Sequence, residues 1–197
     1  FVCEFGGTTA FADKTKYMTW QQIAGVDKMG FEIGNHTWHH THVNKLNKAG
    51  LTAELEYIEQ QCALYHITRP VSFAYPGYDT SRTAIEVLKE KGYKFARAGW
   101  DRLYNPLSDH PYLVPGLTTH TGNEAAIYKL LAGAKHGKIA VLTIHGVPDD
   151  AHPWVTTSPQ VFAKLLRYLK ENHYTVIAMR DLEPYINVAG ATKEIKP

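Results

Sequence analysis

Short apolar runs alternate with amphipathic stretches from one end of this 197-residue chain to the other, and that alternation limits its fold more than any other feature. Phe1-Val2-Cys3-Glu4-Phe5 reads as a strand. Thr19 and Gln22 stand at capping-box spacing and predict a short helix running to Met29-Gly30. Residues 31–35 are strand-like. Leu51, Leu55, Ile58, Cys62 and Tyr65 then step by four and three along one helical face. Pro70 ends anything helical, and residues 71–75 read as a strand. A helix is expected over residues 81–91, closed by Gly92, with a strand over 93–97. Residues 99–121, rich in Pro, Gly, Asp and Asn, read as a long functional loop.

The second half repeats the pattern. A helix is expected over residues 124–135. The apolar run 138–144, between Gly137 and Gly146, suits a strand buried on both faces. Ser158-Pro159 opens another helix with Val161, Phe162, Leu165, Leu166 and Leu169 on its apolar face, and 175–179 is the last expected strand. Strands alternating with helices argue for a parallel sheet, either a doubly wound sheet or a β/α barrel. No G-x-G-x-x-G or P-loop follows any strand, so a nucleotide-binding sheet has no support and the barrel is preferred.

Composition narrows the function classes. With 44% hydrophobic residues, the chain has ample material for a core. Its 21 Lys+Arg against 19 Asp+Glu give a formal charge of +2 with no basic run, so a nucleic-acid or anionic-membrane surface has no electrostatic footprint. No apolar stretch approaches the ~20 residues of a membrane span. Cys3 and Cys62 are too few for a disulfide framework and read as two buried free thiols.

Eleven histidines are present, and four of them fall within residues 36–42. In a β/α barrel, active residues sit at the C-terminal ends of strands and in the loops that follow. Those positions carry His36-Thr37-Trp38-His39-His40-Thr41-His42, Tyr75-Pro76-Gly77-Tyr78, Arg97-Ala98-Gly99-Trp100-Asp101 and His145-Gly146-Val147-Pro148-Asp149-Asp150. His36 and His40 are four apart, so a helical turn there would point both imidazoles one way, as a metal requires. A polar loop cap is the competing reading. His39 and His42 face solvent or support the pair. His145 ends an apolar strand and is placed to carry a proton, or else is a core histidine bonded to backbone. Asp149-Asp150 could reach the rim, but is read first as a solvated turn. Trp38, Trp100 and Trp154 are either sugar-stacking platforms or buried loop anchors.

These residues resemble the polysaccharide deacetylases of the NodB-homology type, carbohydrate esterase family 4. Gly34-Asn35-His36-Thr37-x-x-His40 fits that family's H-[ST]-x-x-H metal motif, and Leu142-Thr143-Ile144-His145 fits its L-x-I-H motif. Phe73-Ala74-Tyr75-Pro76-Gly77 sits where its R-x-P-Y segment belongs. The resemblance implies an α/β fold, a distorted (β/α) barrel of the NodB/polysaccharide-deacetylase type, with residues 1–197 as one catalytic domain. It implies hydrolytic removal of N- or O-acetyl groups from an acetylated oligo- or polysaccharide by a metal-activated water, at a divalent metal, most directly Zn2+. His36 and His40 would be ligands and His145 the general acid. Leu142 would line the acetyl pocket, a backbone N–H near Pro76-Gly77 would face the oxyanion, and Tyr75 and Trp100 would contact substrate. The resemblance also favours a secreted, periplasmic or cell-envelope setting.

Departures from the pattern shape what else is expected. The family's T-F-D-D motif, which supplies the base and a third metal ligand, is absent, and Phe1-Val2-Cys3 resembles its second strand. A complete barrel typically needs ~250 residues, so the chain is read as lacking its first strand and helix. The motif arginine is replaced by Ala74. A non-catalytic carbohydrate- or metal-binding relative and an allantoinase-like amidohydrolase acting on a non-sugar amide are the alternatives.

Overall fold

Caps written into the sequence fix where the helices begin. The Gln22 N–H donates to the Thr19 hydroxyl at 3.2 Å while the Thr19 N–H donates to the Gln22 side chain at 2.8 Å, opening α1, Trp20–Lys28. Asn47 accepts from the Gly50 N–H at the start of α2, Lys48–Leu64. Ser81 does the same for Ala84 at the start of α3, Arg82–Glu90. The computed structural model describes residues 1–5 and 17–194, and these fall into two units.

The first unit draws on Phe1–Ala98, His110–Leu113 and Ala178–Pro197. Its ladder is parallel throughout. Val2 bridges Asn35, Asn35 bridges Phe73, and β1, Ser72–Ala74, pairs with β2, Phe95–Trp100. Register places Ser72 beside Phe95, Phe73 beside Ala96 and Ala74 beside Arg97. Both faces of β1 are buried, which explains why its sequence shows no polar alternation. One face of α2 buries Leu51, Leu55, Ile58 and Cys62, as the four-three spacing predicts. Leu51 and Leu55 join Phe73, Val87, Leu88 and Tyr93 in the main core. Burying each such aliphatic side chain stabilises the fold by about 1.5–3 kcal/mol. Asn35 ties the ladder to this core, donating from its amide to the Leu55 carbonyl at 3.0 Å and to the Tyr93 hydroxyl at 2.7 Å. Cys62 is buried and Cys3 half-buried, both as free thiols. Burial pushes their pKa values up to about 11 and about 12.

The second unit comprises Gly99–Asp109 and Val114–Ile177. There β3, Val114–Thr118, lies parallel to β4, Leu142–Thr143, with Leu117 beside Leu142 and Thr118 beside Thr143. Helices α4, Glu124–Ala132, and α5, Pro159–Glu171, cover the pair with Ile127, Leu131 and Leu165 packed around Leu117. Ser158 caps α5 through the Val161 N–H at 3.2 Å. The chain ends its described part in α6, Val188–Glu194.

Three expectations are corrected. β3 lies inside the stretch read as loop. Pro115 and Gly116 disguise it, yet the ladder donors are the Leu117 and Thr119 N–H groups, so no bond is asked of the proline. The run 138–144 is not a strand buried on both faces, because only Leu142–Thr143 pair with β3, Ile139 bridges Tyr104 and Ile144 is exposed. Residues 175–179 form no strand. Val176 is 71% exposed, and the chain enters a 3-10 helix at Met179–Tyr185, where the Ala178 N–H donates to the Asp181 side chain. A local side-chain acceptor takes the donor a ladder would need.

Candidate functional site

His36 follows the bridge residue Asn35, and the same ladder that aligns Asn35 with Phe73 brings its ring to the end of β1. Its Nδ1 lies 2.7 Å from the Ala74 carbonyl oxygen. A carbonyl only accepts, so Nδ1 carries the proton and the Nε2 lone pair is left for another partner. Burial pushes the His36 pKa down to about 3, against the opposing pull of the Ala74 hydrogen bond, so the ring is neutral at physiological pH. The His40 ring lies edge-on to it, centroids 4.7 Å apart, with Phe5 stacked on His40 at 5.1 Å.

The convergence of the two rings is not helical, as the spacing had suggested. Thr37 and His40 both take positive φ, at 66° and 58°, in a tight turn. Asn35 sets that turn by accepting the Thr37 N–H at 3.0 Å on its side-chain oxygen. The remaining histidines of the segment support it. His39 bonds Glu54 of α2 through its ring at 2.6 Å and its backbone N–H at 2.8 Å. Trp38 stacks on Tyr57 at 4.1 Å and serves as a loop anchor.

After β1, Tyr75 is buried and its hydroxyl donates to the Tyr112 carbonyl at 3.0 Å. Burial raises its pKa. Pro76 is also buried and opens a short turn in which Gly77 has φ +60°. A Cβ on Gly77 would run into the His42 ring, so the turn needs glycine both for its conformation and for its space. His42 is held there by Asp79 at 2.8 Å. Arg97, in register beside Ala74, is buried with its guanidinium over the rings of Tyr78 and Phe1, at 5.1 and 5.7 Å. Among the described residues it pairs with no carboxylate.

In the second unit, Leu142 is half-buried against the Leu117–Ile127 cluster, and Trp100 is exposed. His145 leaves β4 into a turn in which sequence reasoning gave chemistry to the histidine but none to Asp149. Its Nδ1 hydrogen-bonds Asp149 Oδ2, and His152 Nδ1 lies 3.1 Å from each oxygen of the same carboxylate. Asp149 is therefore no solvated turn residue. Its side chain is 14% exposed. Burial alone would raise its pKa, but the hydrogen bonds from His145 and His152 outweigh that and lower it. The four-residue step from His145 to Asp149 was the available signal, and it repeats the spacing of the His36–His40 pair. His145, Asp149 and His152 also form a group whose donor atoms, within 4.8 Å of one another, could hold a metal ion.

Residues 6–96 match the family described as polysaccharide deacetylase. A chitin deacetylase from Pestalotiopsis sp is 28% identical over 81 residues, covering 41% of this chain and 27% of that relative, so the match spans little more than a quarter of the relative's length. A crystal structure of a proposed polysaccharide deacetylase from Mycobacterium smegmatis superposes with TM-score 0.65 at 18% identity, over 93% of this chain and 71% of the other. The Xyl-CE4 domain of a multidomain xylanase from the hindgut metagenome of Trinervitermes trinervoides gives 0.55 at 17% identity, over 86% and 72%. These likenesses establish the fold class read from the sequence. No helix among the described residues is long and apolar enough to cross a membrane.

Proposed function

We propose that the chain is a metal-dependent hydrolase removing N- or O-acetyl groups from an acetylated carbohydrate, with residues 1–197 acting as one catalytic domain, a reading supported by the match of residues 6–96 to the polysaccharide deacetylase family. The observation that carries the reading is His36. A neutral imidazole, fixed by a backbone carbonyl on Nδ1 and offering Nε2, is what a metal ligand must be. His40 beside it supplies a second nitrogen. The pair fits a divalent ion such as zinc, which takes imidazole readily and has no geometric demand from its d electrons. When bound, the ion would supply Lewis acidity toward the acetyl carbonyl and toward water.

The chain's own residues do the rest. The Ala74 carbonyl keeps the His36 ring from turning, and Asn35 holds the turn that returns His40 to it. In the turn after β1 we assign the Gly77 backbone N–H to the developing oxyanion, and in the second unit we assign Leu142 to the acetyl methyl and Trp100 to a sugar face. His145 delivers a proton to the departing nitrogen or oxygen from its ring.

Acetate release from acetylated chitin and xylan oligosaccharides tests the reading. Release that stops on chelation and returns with Zn2+ is expected. Stoichiometric metal without any acetate release would favour a non-catalytic binding relative instead.

A further inference from the structure

The turn after β4 is built around one carboxylate. Asp149 folds back so closely that a Cβ on Gly146 would lie 2.7 Å from Asp149 Cβ, so glycine is what lets the carboxylate return beneath His145. The Asp149 N–H donates to the Thr156 hydroxyl at 2.7 Å, and the Thr157 N–H donates to the Gly146 carbonyl at 3.1 Å, closing the loop on itself. The carboxylate then accepts from three donors: His145 Nδ1, His152 Nδ1 and, at 3.0 Å, the His152 backbone N–H. A carboxylate held by three donors stays ionised and only accepts, so each imidazole must carry its proton on Nδ1. The His145 side chain is 47% exposed, so its other nitrogen has a route to an incoming group.

We propose that Asp149 is the positioning residue of a proton-donating His145, with His152 bracing the carboxylate from its other side. This rests on the deacetylase reading for the reaction it serves. In the step itself the C–N or C–O bond of the tetrahedral adduct breaks and its electron pair goes to the leaving atom. That atom takes the proton from His145 Nε2. The imidazolium becomes a neutral ring that still holds its Nδ1 proton against Asp149, which remains a carboxylate throughout. Solvent reprotonates Nε2 at the exposed edge of the ring. The same three side chains could instead gather an ion, but their donor atoms hydrogen-bond one another directly. Ligands around a zinc ion at ~2.0–2.1 Å stand apart by roughly 3.3 Å and carry no proton between them.

Two readouts test the proposal on the full chain. The first is the long-range 1H–15N spectrum of the metal-free protein at neutral pH, which reports each imidazole's tautomer. His145 and His152 are expected with protonated Nδ1, and Asp149→Asn should mix the His145 tautomers. An Nε2–H form of wild-type His145, or loss of its Nδ1 proton on adding Zn2+ to a His36→Ala background, would overturn the assignment. The second is leaving-group dependence. Asp149→Asn should lower kcat on an acetylated oligosaccharide by about 10²-fold with little change in KM. Turnover of 4-nitrophenyl acetate, whose leaving group departs without a proton, should fall less than about threefold. Equal losses on both substrates would mark Asp149 as merely structural. Absence of acetate release by the wild type on either substrate would count against the deacetylase reading alone, since the tautomer spectrum needs no turnover.

Discussion

The molecule holds two pairs of imidazoles with opposite environments. His36 is buried, bonded through Nδ1 to a neutral carbonyl, and kept uncharged by its surroundings. His145 is half exposed and bonded through Nδ1 to an ionised carboxylate. Both arrangements fix the same tautomer, yet the partner's charge changes what the free nitrogen is good for. A carbonyl in a desolvated setting favours a neutral ring that donates a lone pair. A carboxylate on Nδ1 holds the ring with its other nitrogen turned outward, the arrangement a proton donor needs. In the proposed reading, the atom behind each ring, not the histidine itself, divides ligand from acid.

The comparison breaks most completely at the metal. His36→Ala should abolish stoichiometric binding of divalent metal, whereas Asp149→Asn should leave metal content unchanged, as read by elemental analysis after gel filtration. A second difference lies in acid. The His36 pKa falls from 6.5 unfolded to about 3 folded, so the unfolded chain takes up the proton first as pH drops. Stability of the metal-free protein should fall by about 1.4 kcal/mol per pH unit from this group across that window and level off below it. His36→Gln should flatten the slope in denaturant titrations at stepped pH. A smaller effect is expected at the turn beside His42. Gly77→Ala meets both positive φ and the His42 ring and should cost about 1–3 kcal/mol in thermal or denaturant unfolding.

What could be read from the sequence depended on whether a residue's signal was local. The caps at Thr19, Asn47, Ser81 and Ser158 and the stripe of α2 are local, and the helices formed where those signals lie. β3 escaped notice because Pro115 and Gly116 argue against a strand unless the donors on either side are known. The pairing of His36 with His40 was legible from spacing, but its cause was not, since positive φ at Thr37 and His40 replaces the helical turn. Asp149 was hidden for a related reason. Its neighbours in sequence are polar and turn-forming, so the four-residue step from His145 carried little weight until the fold-back over Gly146 showed a half-buried carboxylate. Arg97 shows the limit most plainly, because nothing in its own strand says that it stands beside Ala74.

The central claim is that His36 and His40 bind a metal on which deacetylation depends. Its most direct test is metal-dependent acetate release by the wild type and His36→Ala, measured side by side on acetylated chitin and xylan oligosaccharides. Release that requires added Zn2+ and vanishes in the variant, with the variant's fold intact by circular dichroism, is the predicted result. Undiminished release by a folded His36→Ala protein would contradict it.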